Sequence, residues 1–380
     1  MTDRFHRIET IMKDEGEESA SCLASLLSMI SFGYRGVLWT RDFCFKTGLK
    51  RQKRLPCKVI SIGNITVGGT GKTPMSMFVA EAVKKMGRKA AILIRGYRGG
   101  AEKKGGIVSD GKTLLMGSDQ AGDEAFLMAS LMKGVPVLVG RDRYASGQTA
   151  IQAFGSEVLV LDDAFQHRGL MRDIDLVLLD EKQPFGNQKL FPRGRLREPI
   201  HELRRGDAVI LTRSRGHGDE TASMVKKIAP DMPVFRSFHR PVVRTVIRKT
   251  SGDASEQKNR DNDQAPILHK GKTVFAFSGI AANKQFKDTI GALGGRLVGA
   301  LSFADHHKYT QKDIQSICRQ SNQARADILA TTEKDFARFG HQAARWPMDL
   351  LVIGIDIRFD PDEHGFITFL KSRLEGETSY

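Results

Sequence analysis

The sequence predicts an α/β fold, built on a doubly wound, mostly parallel sheet with a second, smaller α/β domain and an N-terminal amphipathic helix. Short apolar runs alternate with segments of helical periodicity between residues 57 and 238, which is typical of a parallel sheet covered by helices. The polar stretch 250–265 separates a second alternating segment from the first. The chain has 380 residues, 40% hydrophobic and 27% charged, which indicates a globular protein long enough for two domains.

Four regions are expected along the chain. Residues 1–54 form a polar tail and the N-terminal helix, and residues 55–240 form the first α/β domain. Residues 241–270 form a strand and linker insertion, and residues 271–380 form the C-terminal α/β domain. The predicted strands are 57–62, 89–94, 135–139, 157–161, 174–179, 208–211, 233–235, 242–248, 273–278, 296–301, 327–329 and 350–355, and the predicted helices are 74–86, 124–132, 143–154, 220–228, 283–293 and 311–324.

A glycine-rich turn follows the first predicted strand and precedes a helix, which is the context of a P-loop. Its glycines allow backbone N–H groups to converge on phosphate oxygens at a helix N-terminus. The usual P-loop pattern has glycine five residues before Gly71, where this chain has Thr66. The alternative interpretation is a glycine-rich hairpin beside a surface lysine, with no role in binding. We predict a P-loop NTPase-like fold whose nucleotide-binding residues are Thr66, Val67, Gly68, Gly69, Thr70, Gly71, Lys72 and Thr73.

The chain carries 59 Lys and Arg against 44 Asp and Glu, a net charge of +15. This excess favours an anionic partner, such as a phosphorylated substrate, an acidic membrane or nucleic acid. Aromatic residues are scarce at 7%, and no basic stretch is interleaved with aromatics, so nucleic acid is not expected. The four scattered cysteines form no CxxC pair, which argues against structural zinc and suits a reducing compartment.

The N-terminal segment has an apolar stripe, then aromatic residues, then a basic cluster. This order is typical of a helix that lies in an anionic membrane interface, although an amphipathic helix packed on the protein's own core is an equal alternative. The run is too interrupted for a clean membrane-spanning segment. The stripe is Leu23, Leu26, Leu27, Ile30 and Tyr34, the aromatics are Trp39, Phe43 and Phe45, and the basic cluster is Lys46, Lys50, Arg51, Lys53 and Arg54.

Two carboxylates, Asp162 and Asp163, end an apolar strand, where a P-loop fold holds its magnesium. Neighbouring strand residues point to opposite faces, so both can reach one metal ion only if the strand ends there. A strand-end Asp that serves a turn is the alternative interpretation.

Asp123-Glu124 opens a predicted helix, where an Asp most often caps the helix N-terminus. A kinase also needs a carboxylate that accepts the proton of the attacking hydroxyl. The segment Asp305-His306-His307 also has two interpretations. One of its histidines can orient such a carboxylate, or the segment can be an ordinary polar loop.

A loop between prolines carries three arginines, Arg193, Arg195 and Arg197, and Arg141 and Arg143 add further cations. Guanidinium groups pair well with phosphate, so an anionic substrate is expected, with a solvated basic loop as the alternative.

Six motifs in one order resemble those of the tetraacyldisaccharide 4'-kinase family, the lipid A kinases of Gram-negative bacteria. The likeness covers roughly residues 23–337. The departures are Ala164 where glycine is usual, and Ile94 and Arg98 beside the second motif. The motifs span 62–74, Arg95-Gly96-Tyr97, Asp162-Asp163-Ala164-Phe165-Gln166-His167, Arg197-Glu198, Ala304-Asp305-His306 and Thr332-Glu333-Lys334-Asp335.

The resemblance implies two α/β domains with a cleft between them, a membrane-associated N-terminal helix, and ATP and Mg²⁺ as cofactors. It implies transfer of phosphate to the 4'-hydroxyl of a tetraacylated glucosamine disaccharide 1-phosphate, a precursor of lipid A and hence of lipopolysaccharide. Such an enzyme would act at the cytoplasmic face of the inner membrane, attached peripherally or by a shallow anchor. We further expect a monomer.

The resemblance also assigns roles to residues. The implied catalytic residues are Asp123, His306 and Lys72, with His307 left open as the partner of Asp123. The implied metal ligands are Thr73, Glu124, Asp162 and Asp163, and the implied substrate-binding residues are Gln166, His167, Arg143 and Arg197.

We therefore interpret the chain as a magnesium-dependent lipid kinase. The alternatives are a regulatory or assembly GTPase or ATPase, and a nucleic-acid-stimulated motor. A GTPase would need an Asn-Lys-x-Asp motif to bind the guanine base. The segment Thr332-Glu333-Lys334-Asp335 differs from this motif because its lysine is displaced by one position.

Overall fold

The computed structural model describes residues 11–12, 22–214, 219–249, 271–280, 283–339, 346–359 and 362–376. The predicted insertion 250–265 and nearly all of the predicted polar tail lie outside them. The described strands form one twelve-stranded sheet in the order β10-β9-β11-β12-β8-β7-β6-β1-β5-β2-β4-β3. The strands are β1 (Lys58–Gly63), β2 (Ala90–Ile94), β3 (Gly106–Ser109), β4 (Val137–Val139), β5 (Val158–Asp162), β6 (Ile174–Asp180), β7 (Ala208–Thr212), β8 (Val234–Ile247), β9 (Thr273–Ser278), β10 (Arg296–Ser302), β11 (Ile328–Thr332) and β12 (Asp349–Phe359).

Helices connect these strands. The helices are α1 (Cys22–Lys46), α2 (Lys72–Lys85), α3 (Ser118–Ala121), α4 (Asp123–Leu131), α5 (Arg143–Phe154), α6 (Asp219–Ile228), α7 (Asn283–Ala292), α8 (Gln311–Gln323), α9 (Glu333–Phe339) and α10 (Glu363–Glu375), with a 3-10 helix at Ile200–Arg205.

The pairing of the strands confirms the predicted mostly parallel α/β fold. Parallel pairs run through both halves of the sheet, while β3 with β4 and β8 with β12 are antiparallel. The strands beside the P-loop are buried along nearly their whole length, as expected for a sheet covered on both faces.

A single strand joins the two halves of the sheet. The first residues of β8 pair in parallel with β7, and its later residues pair antiparallel with β12. The predicted domain boundary at residue 240 lies inside this strand, and the division of the chain into domains stays a prediction.

Several elements of the structure are absent from the sequence-based prediction: β3, α3, α9, α10 and the 3-10 helix Ile200–Arg205. Strand β3 is short and partly polar, so its sequence carries little periodicity. Helix α10 buries Phe366, Leu370 and Leu374, whose spacing is itself a helical signal.

Helix α10 packs against α2, the helix that follows the glycine-rich turn. The Phe366 ring stacks on Phe359 of β12 with centroids 4.3 Å apart, and its centroid lies 6.2 Å from that of Phe78 on α2. Phe366 also meets Phe235 of β8 edge to face at 5.2 Å. Helix α10 thus fills the core that supports α2.

Replacing Phe366 by Ala is expected to lower the free energy of unfolding by about 3–5 kcal/mol, because the change empties a fully buried site between four elements. Urea denaturation measures the change. The control is Lys371→Ala on the same helix, whose side chain is 62% exposed and whose loss should cost under about 0.5 kcal/mol. Equal stability of the two variants would contradict this account of the packing.

Candidate functional site

The glycine-rich turn leads from β1 into α2. Gly68 and Gly71 have φ angles of 127° and 85°, a region that residues with a Cβ rarely adopt. A Cβ at Gly68 would lie 2.4 Å from Arg195 Nη2, and one at Gly71 would lie 2.6 Å from His239 Nε2. Helix α2 begins at Lys72 with Gly71 as its N-cap and no capping side chain. The helix N-terminus is therefore open to an anion.

Arginines from neighbouring segments hold the carbonyl groups of this turn. Arg195 donates to Val67 O at 3.1 Å, and Arg213 donates to Gly69 O at 2.6 Å. Inside the turn, the Asn64 amide donates to Thr70 Oγ1 at 3.0 Å. Because the N–H of a trans peptide points away from its C=O, the Gly68 N–H faces away from Arg195.

The two strand-end carboxylates lie beside the turn. Asp162 is the last residue of β5 and pairs in register with Ile62 of β1. Asp163 follows with φ 49°, so the strand ends between them. The condition for both to approach one ion is therefore met.

The two carboxylates have opposite electrostatic environments. Burial raises the pKa of Asp162 to about 7, and the neighbouring charges of Glu124 and Asp163 add to this effect, while Ser76 Oγ donates to it at 2.7 Å. Burial would also raise the pKa of Asp163, but Lys72 and Arg197 outweigh it and hold that pKa below its usual value.

Lys72 and Thr73 are the first two residues of α2, and the Lys72 side chain approaches Asp163. Lys72 Nζ lies 3.7 Å from Asp163 Oδ1, and Thr73 is buried. The P-loop lysine and the strand-end carboxylates thus belong to one site.

Asp123 and His306 meet although 183 positions separate them in sequence. His306 Nδ1 lies 3.1 Å from Asp123 Oδ2. Asp123 is the first residue of α4 and makes no capping hydrogen bond, because Gly122 is the N-cap, so the capping interpretation is wrong. His307 instead places its Nε2 3.1 Å from Asp313 Oδ2.

Helix α9 contributes two cations that the sequence analysis assigned no role. Lys334 Nζ donates to Glu124 Oε1 at 2.7 Å, and Arg338 Nε donates to Asp123 Oδ2 at 2.8 Å. The Thr332-x-x-Asp335 spacing is a helix-start signal that could have located α9, since the two side chains bond each other at 2.6 Å.

These contacts decide the charge of the two acids on α4. Burial alone would raise the pKa values of Asp123 and Glu124. The hydrogen bonds of His306 and Arg338 lower the pKa of Asp123 below its usual value, and the charge of Lys334 does the same for Glu124. Both carboxyl groups are therefore ionised at neutral pH.

The predicted substrate-binding residues lie around the same acids. Arg197 Nη1 donates to Asp163 Oδ1 at 2.7 Å and lies 3.4 Å from Gln166 Oε1. Arg143 is 4% exposed, and its Nε has no hydrogen-bond partner in the described part of the chain. Burial lowers the pKa of Arg143 to about 10 and that of His167 to about 4, so His167 is neutral at pH 7.

The donor set fits a hard divalent cation. Within the described residues no three His, Cys, Asp or Glu side chains are already gathered into a metal cluster. Asp162, Asp163 and Glu124 nevertheless interact electrostatically, and their repulsion contributes to the raised pKa of Asp162. Carboxylate and hydroxyl oxygens are the ligands that Mg²⁺ prefers, and a cation would relieve this repulsion.

Helix α1 docks beside the arginine loop. Tyr34 Oη donates to Arg197 O at 2.8 Å, and Ser31 Oγ donates to Leu190 O at 2.9 Å. Arg41 pairs at 2.5 Å with Glu198, which is fully buried. The N-terminal helix is therefore attached to the segment that carries Arg197.

The predicted apolar stripe of α1 is only partly buried against the protein. Leu27 is buried, whereas Leu26 and Ile30 are half-exposed. The side facing away from the protein is also apolar, with Phe32 78% and Trp39 68% exposed. In the described part of the chain, Cys22–Lys46 is the one helix long and apolar enough to cross a membrane.

Comparisons with known proteins agree over nearly the whole chain. Residues 23–375 match the profile of the family described as tetraacyldisaccharide-1-P 4'-kinase, LpxK. Tetraacyldisaccharide 4'-kinase from Desulfatibacillum aliphaticivorans is 40% identical over 99% of both chains. The enzyme of that name from Syntrophus aciditrophicus is 39% identical, over 96% of this chain and 98% of that protein.

A solved structure shares the fold. The crystal structure of LpxK from Aquifex aeolicus in complex with ATP matches with a TM-score of 0.70 and 29% identity. The match covers 93% of this chain and 99% of that one.

The raised pKa of Asp162 has a measurable effect on stability in metal-free protein. The folded state holds this proton more tightly than the unfolded state, so the group costs more stability as pH rises from the unfolded value towards about 7. Asp162→Asn is expected to gain stability over wild type, and this gain should grow by about 2–3 kcal/mol between about pH 5 and pH 8. Urea denaturation in EDTA at both pH values measures it.

Asp163→Asn is the matched control. In the wild-type protein the pKa of Asp163 is lowered, so its carboxyl group is ionised in the folded and unfolded states above about pH 5. The effect of this variant should therefore change with pH much less than that of Asp162→Asn, and only through the part that the charge of Asp163 contributes to the raised pKa of Asp162. A gain for Asp162→Asn that does not change with pH would contradict the assignment.

Proposed function

This chain belongs to the tetraacyldisaccharide 4'-kinase family, and we propose that the site around the P-loop carries out that family's reaction through the residues described above. The protein is a lipid kinase of lipid A biosynthesis. It transfers the γ-phosphate of ATP to the 4'-hydroxyl of a tetraacylated disaccharide 1-phosphate, which gives the 1,4'-bisphosphorylated lipid.

The contact between Asp123 and His306 is the observation that carries the proposed mechanism. It brings an ionised carboxylate and an imidazole together at the first turn of α4, next to Glu124 and the P-loop acids. Asp123 would accept the proton of the 4'-hydroxyl as that oxygen attacks phosphorus, and His306 would orient Asp123.

The P-loop would bind the phosphates of ATP. Within the predicted segment Thr66–Thr73, the N–H groups of Val67 and Thr70 already donate to Arg195 O and Gly68 O. The amides of Gly68, Gly69 and Gly71 and the N-terminus of α2 would supply neutral donors, and Lys72 would supply a positive charge. In this arrangement catalysis depends on positioning and on stabilising the charge of the transferred group.

Mg²⁺ would be held by Thr73, Asp162 and Asp163. Glu124 would join them after exchanging its bond to Lys334. When bound, the ion neutralises charge on the phosphate oxygens. The carboxyl groups of Asp162, Asp163 and Glu124 interact electrostatically, and Ser76 donates to one oxygen of Asp162.

Arg143 and Arg197 would bind anionic groups of the substrates. Arg143 is buried, its Nε has no hydrogen-bond partner among the described residues, and its charge interacts with those of Asp162 and Asp163. Arg197 bridges Asp163 and Gln166. His167, neutral at pH 7, would act as a hydrogen-bond partner and not as a cation.

The GTPase and motor alternatives are not favoured. The groups of Thr332-Glu333-Lys334-Asp335 already have partners within the protein. Lys334 pairs with Glu124, and Asp335 binds Thr332, Gly279 N and Arg338. These side chains are not available to read a guanine base.

We further propose that α1 lies at the cytoplasmic face of the inner membrane. One side of the helix packs on the protein through Leu27 and Leu38, so lipid cannot surround it on all sides. The opposite side presents Phe32 and Trp39, and the basic cluster from Lys46 to Arg54 follows. Apolar side chains beside basic ones suit an anionic lipid surface.

Asp123→Asn is expected to lower turnover by about 10²–10⁴-fold, because it removes the proton acceptor. Lys72→Met should lower turnover by about 10²-fold or more through the loss of charge stabilisation. The assay follows the bisphosphorylated lipid formed from disaccharide 1-phosphate, ATP and Mg²⁺ in detergent.

The control is Lys308→Ala, which removes a surface ion pair to Asp119 with both side chains more than 80% exposed. Its turnover should stay within about twofold of wild type. Near-normal turnover of Asp123→Asn would show that another group accepts the proton.

The double variant Phe32→Ser/Trp39→Ser should reduce binding to anionic liposomes by at least about tenfold, because it removes two large exposed apolar groups. Co-sedimentation measures the binding. The control Met224→Ser changes a less exposed apolar surface residue on α6 and should bind as wild type does. Undiminished binding of the double variant would argue against the interfacial position of α1.

A further inference from the structure

One buried arginine contacts both Asp123 and His306. Arg338 Nε donates to Asp123 Oδ2 at 2.8 Å, and Arg338 Nη2 lies 3.3 Å from His306 Nδ1. The Arg338 side chain is only 4% exposed. Its guanidinium group therefore lies directly behind the proposed proton acceptor.

Buried groups fix the orientation of this guanidinium. Arg338 Nη1 donates to Asp335 Oδ1 and to Gly279 O, both at 2.9 Å. Asp335 is fully buried and also accepts from Gly279 N at 3.0 Å and from Thr332 Oγ1 at 2.6 Å. A planar fork held at one side in this way can direct its other donors with little loss of entropy.

The contacts leave one oxygen of Asp123 free. Both Arg338 and His306 are directed at Oδ2, whereas Oδ1 has no hydrogen bond to the described residues. The Asp123 side chain is 25% exposed. Holding Oδ2 from two sides fixes the carboxylate plane and points Oδ1 outward, where a hydroxyl could approach.

The two contacts at His306 Nδ1 compete. This nitrogen can donate to Asp123 only when it carries a proton, and it can accept from Arg338 only when it does not. Arg338 therefore remains a donor to Asp123 in either tautomer, while His306 does so in only one.

We propose that Arg338 is a positioning residue of the kinase reaction, which holds Asp123 so that its Oδ1 faces the acceptor hydroxyl. This inference rests on the proposed role of Asp123 as proton acceptor. Arg338 acts through Asp123 and does not touch the substrate.

Arg338 also neutralises the buried Asp335, so its simple removal could prevent folding. Two variants avoid this problem. Arg338→Lys keeps a positive charge without the planar fork, and Arg338→Met/Asp335→Asn removes both charges together. Thermal unfolding first establishes that each variant is folded.

The experiment measures kcat and the KM for ATP in detergent, in the wild-type and Asp123→Asn backgrounds. In the wild-type background, Arg338→Lys and Arg338→Met/Asp335→Asn should lower kcat by about 10–100-fold and leave KM within about twofold, because a misplaced carboxylate affects the chemical step. In the Asp123→Asn background the same changes should cost less than about threefold, because residues that act as a unit are not additive.

Arg244→Met is the matched control. Arg244 is a partly buried arginine in the same half of the sheet, paired with Glu333 and Asp356, and it has no hydrogen bond or ion pair to Asp123 or His306. It should lower the unfolding temperature and leave kcat within about threefold of wild type.

Three outcomes would overturn the positioning role: normal kcat in a folded Arg338 double variant, a full additional loss in the Asp123→Asn background, or an equal loss of kcat in Arg244→Met. Normal turnover of Asp123→Asn alone is a separate result. It would refute the proposed proton acceptor itself, and the role of Arg338 with it.

Discussion

Two adjacent carboxylates at the start of α4 and two cations on α9 form the interaction on which the site depends. Arg338 pairs with Asp123 and Lys334 pairs with Glu124, at 2.8 and 2.7 Å. The N-terminus of a helix favours negative charge, so α4 itself helps to keep both acids ionised. Each pair joins residues more than 200 positions apart. Without these contacts the acids would have no fixed direction toward the P-loop.

The rest of the fold keeps this contact in place. Strand β8 belongs to both halves of the sheet, so α9 and the P-loop are carried on one continuous framework. Helix α10 packs Phe366 between β8, β12 and α2. Close packing makes such a framework stiff, and a stiff framework is what catalysis by positioning requires.

In the proposed arrangement, the N-terminal helix would connect this framework to the lipid substrate. It bonds to the backbone of Arg197 and reaches the buried Glu198 through Arg41, while its outer side remains apolar. Arg197 in turn holds Asp163 beside Lys72. An acylated substrate is insoluble in water, so a kinase for it needs an apolar surface close to its catalytic groups. In this protein only a few hydrogen bonds and ion pairs separate the apolar side of α1 from Lys72 and Asp163.

The sequence alone determined the features that depend on neighbours along the chain. The P-loop could be read because strand, glycines, Lys72 and helix are contiguous, and Asp162 and Asp163 because they directly follow an apolar run. The pairing of Asp123 with His306 was expected from a family resemblance, and spacing alone favoured a helix cap. Only the tertiary structure revealed Lys334, Arg338 and the connection of α1 to Glu198, because a side-chain ion pair between distant segments leaves no periodic pattern in the sequence. Long-range contacts of this kind are decided when the elements pack, and not by the local preferences that form them.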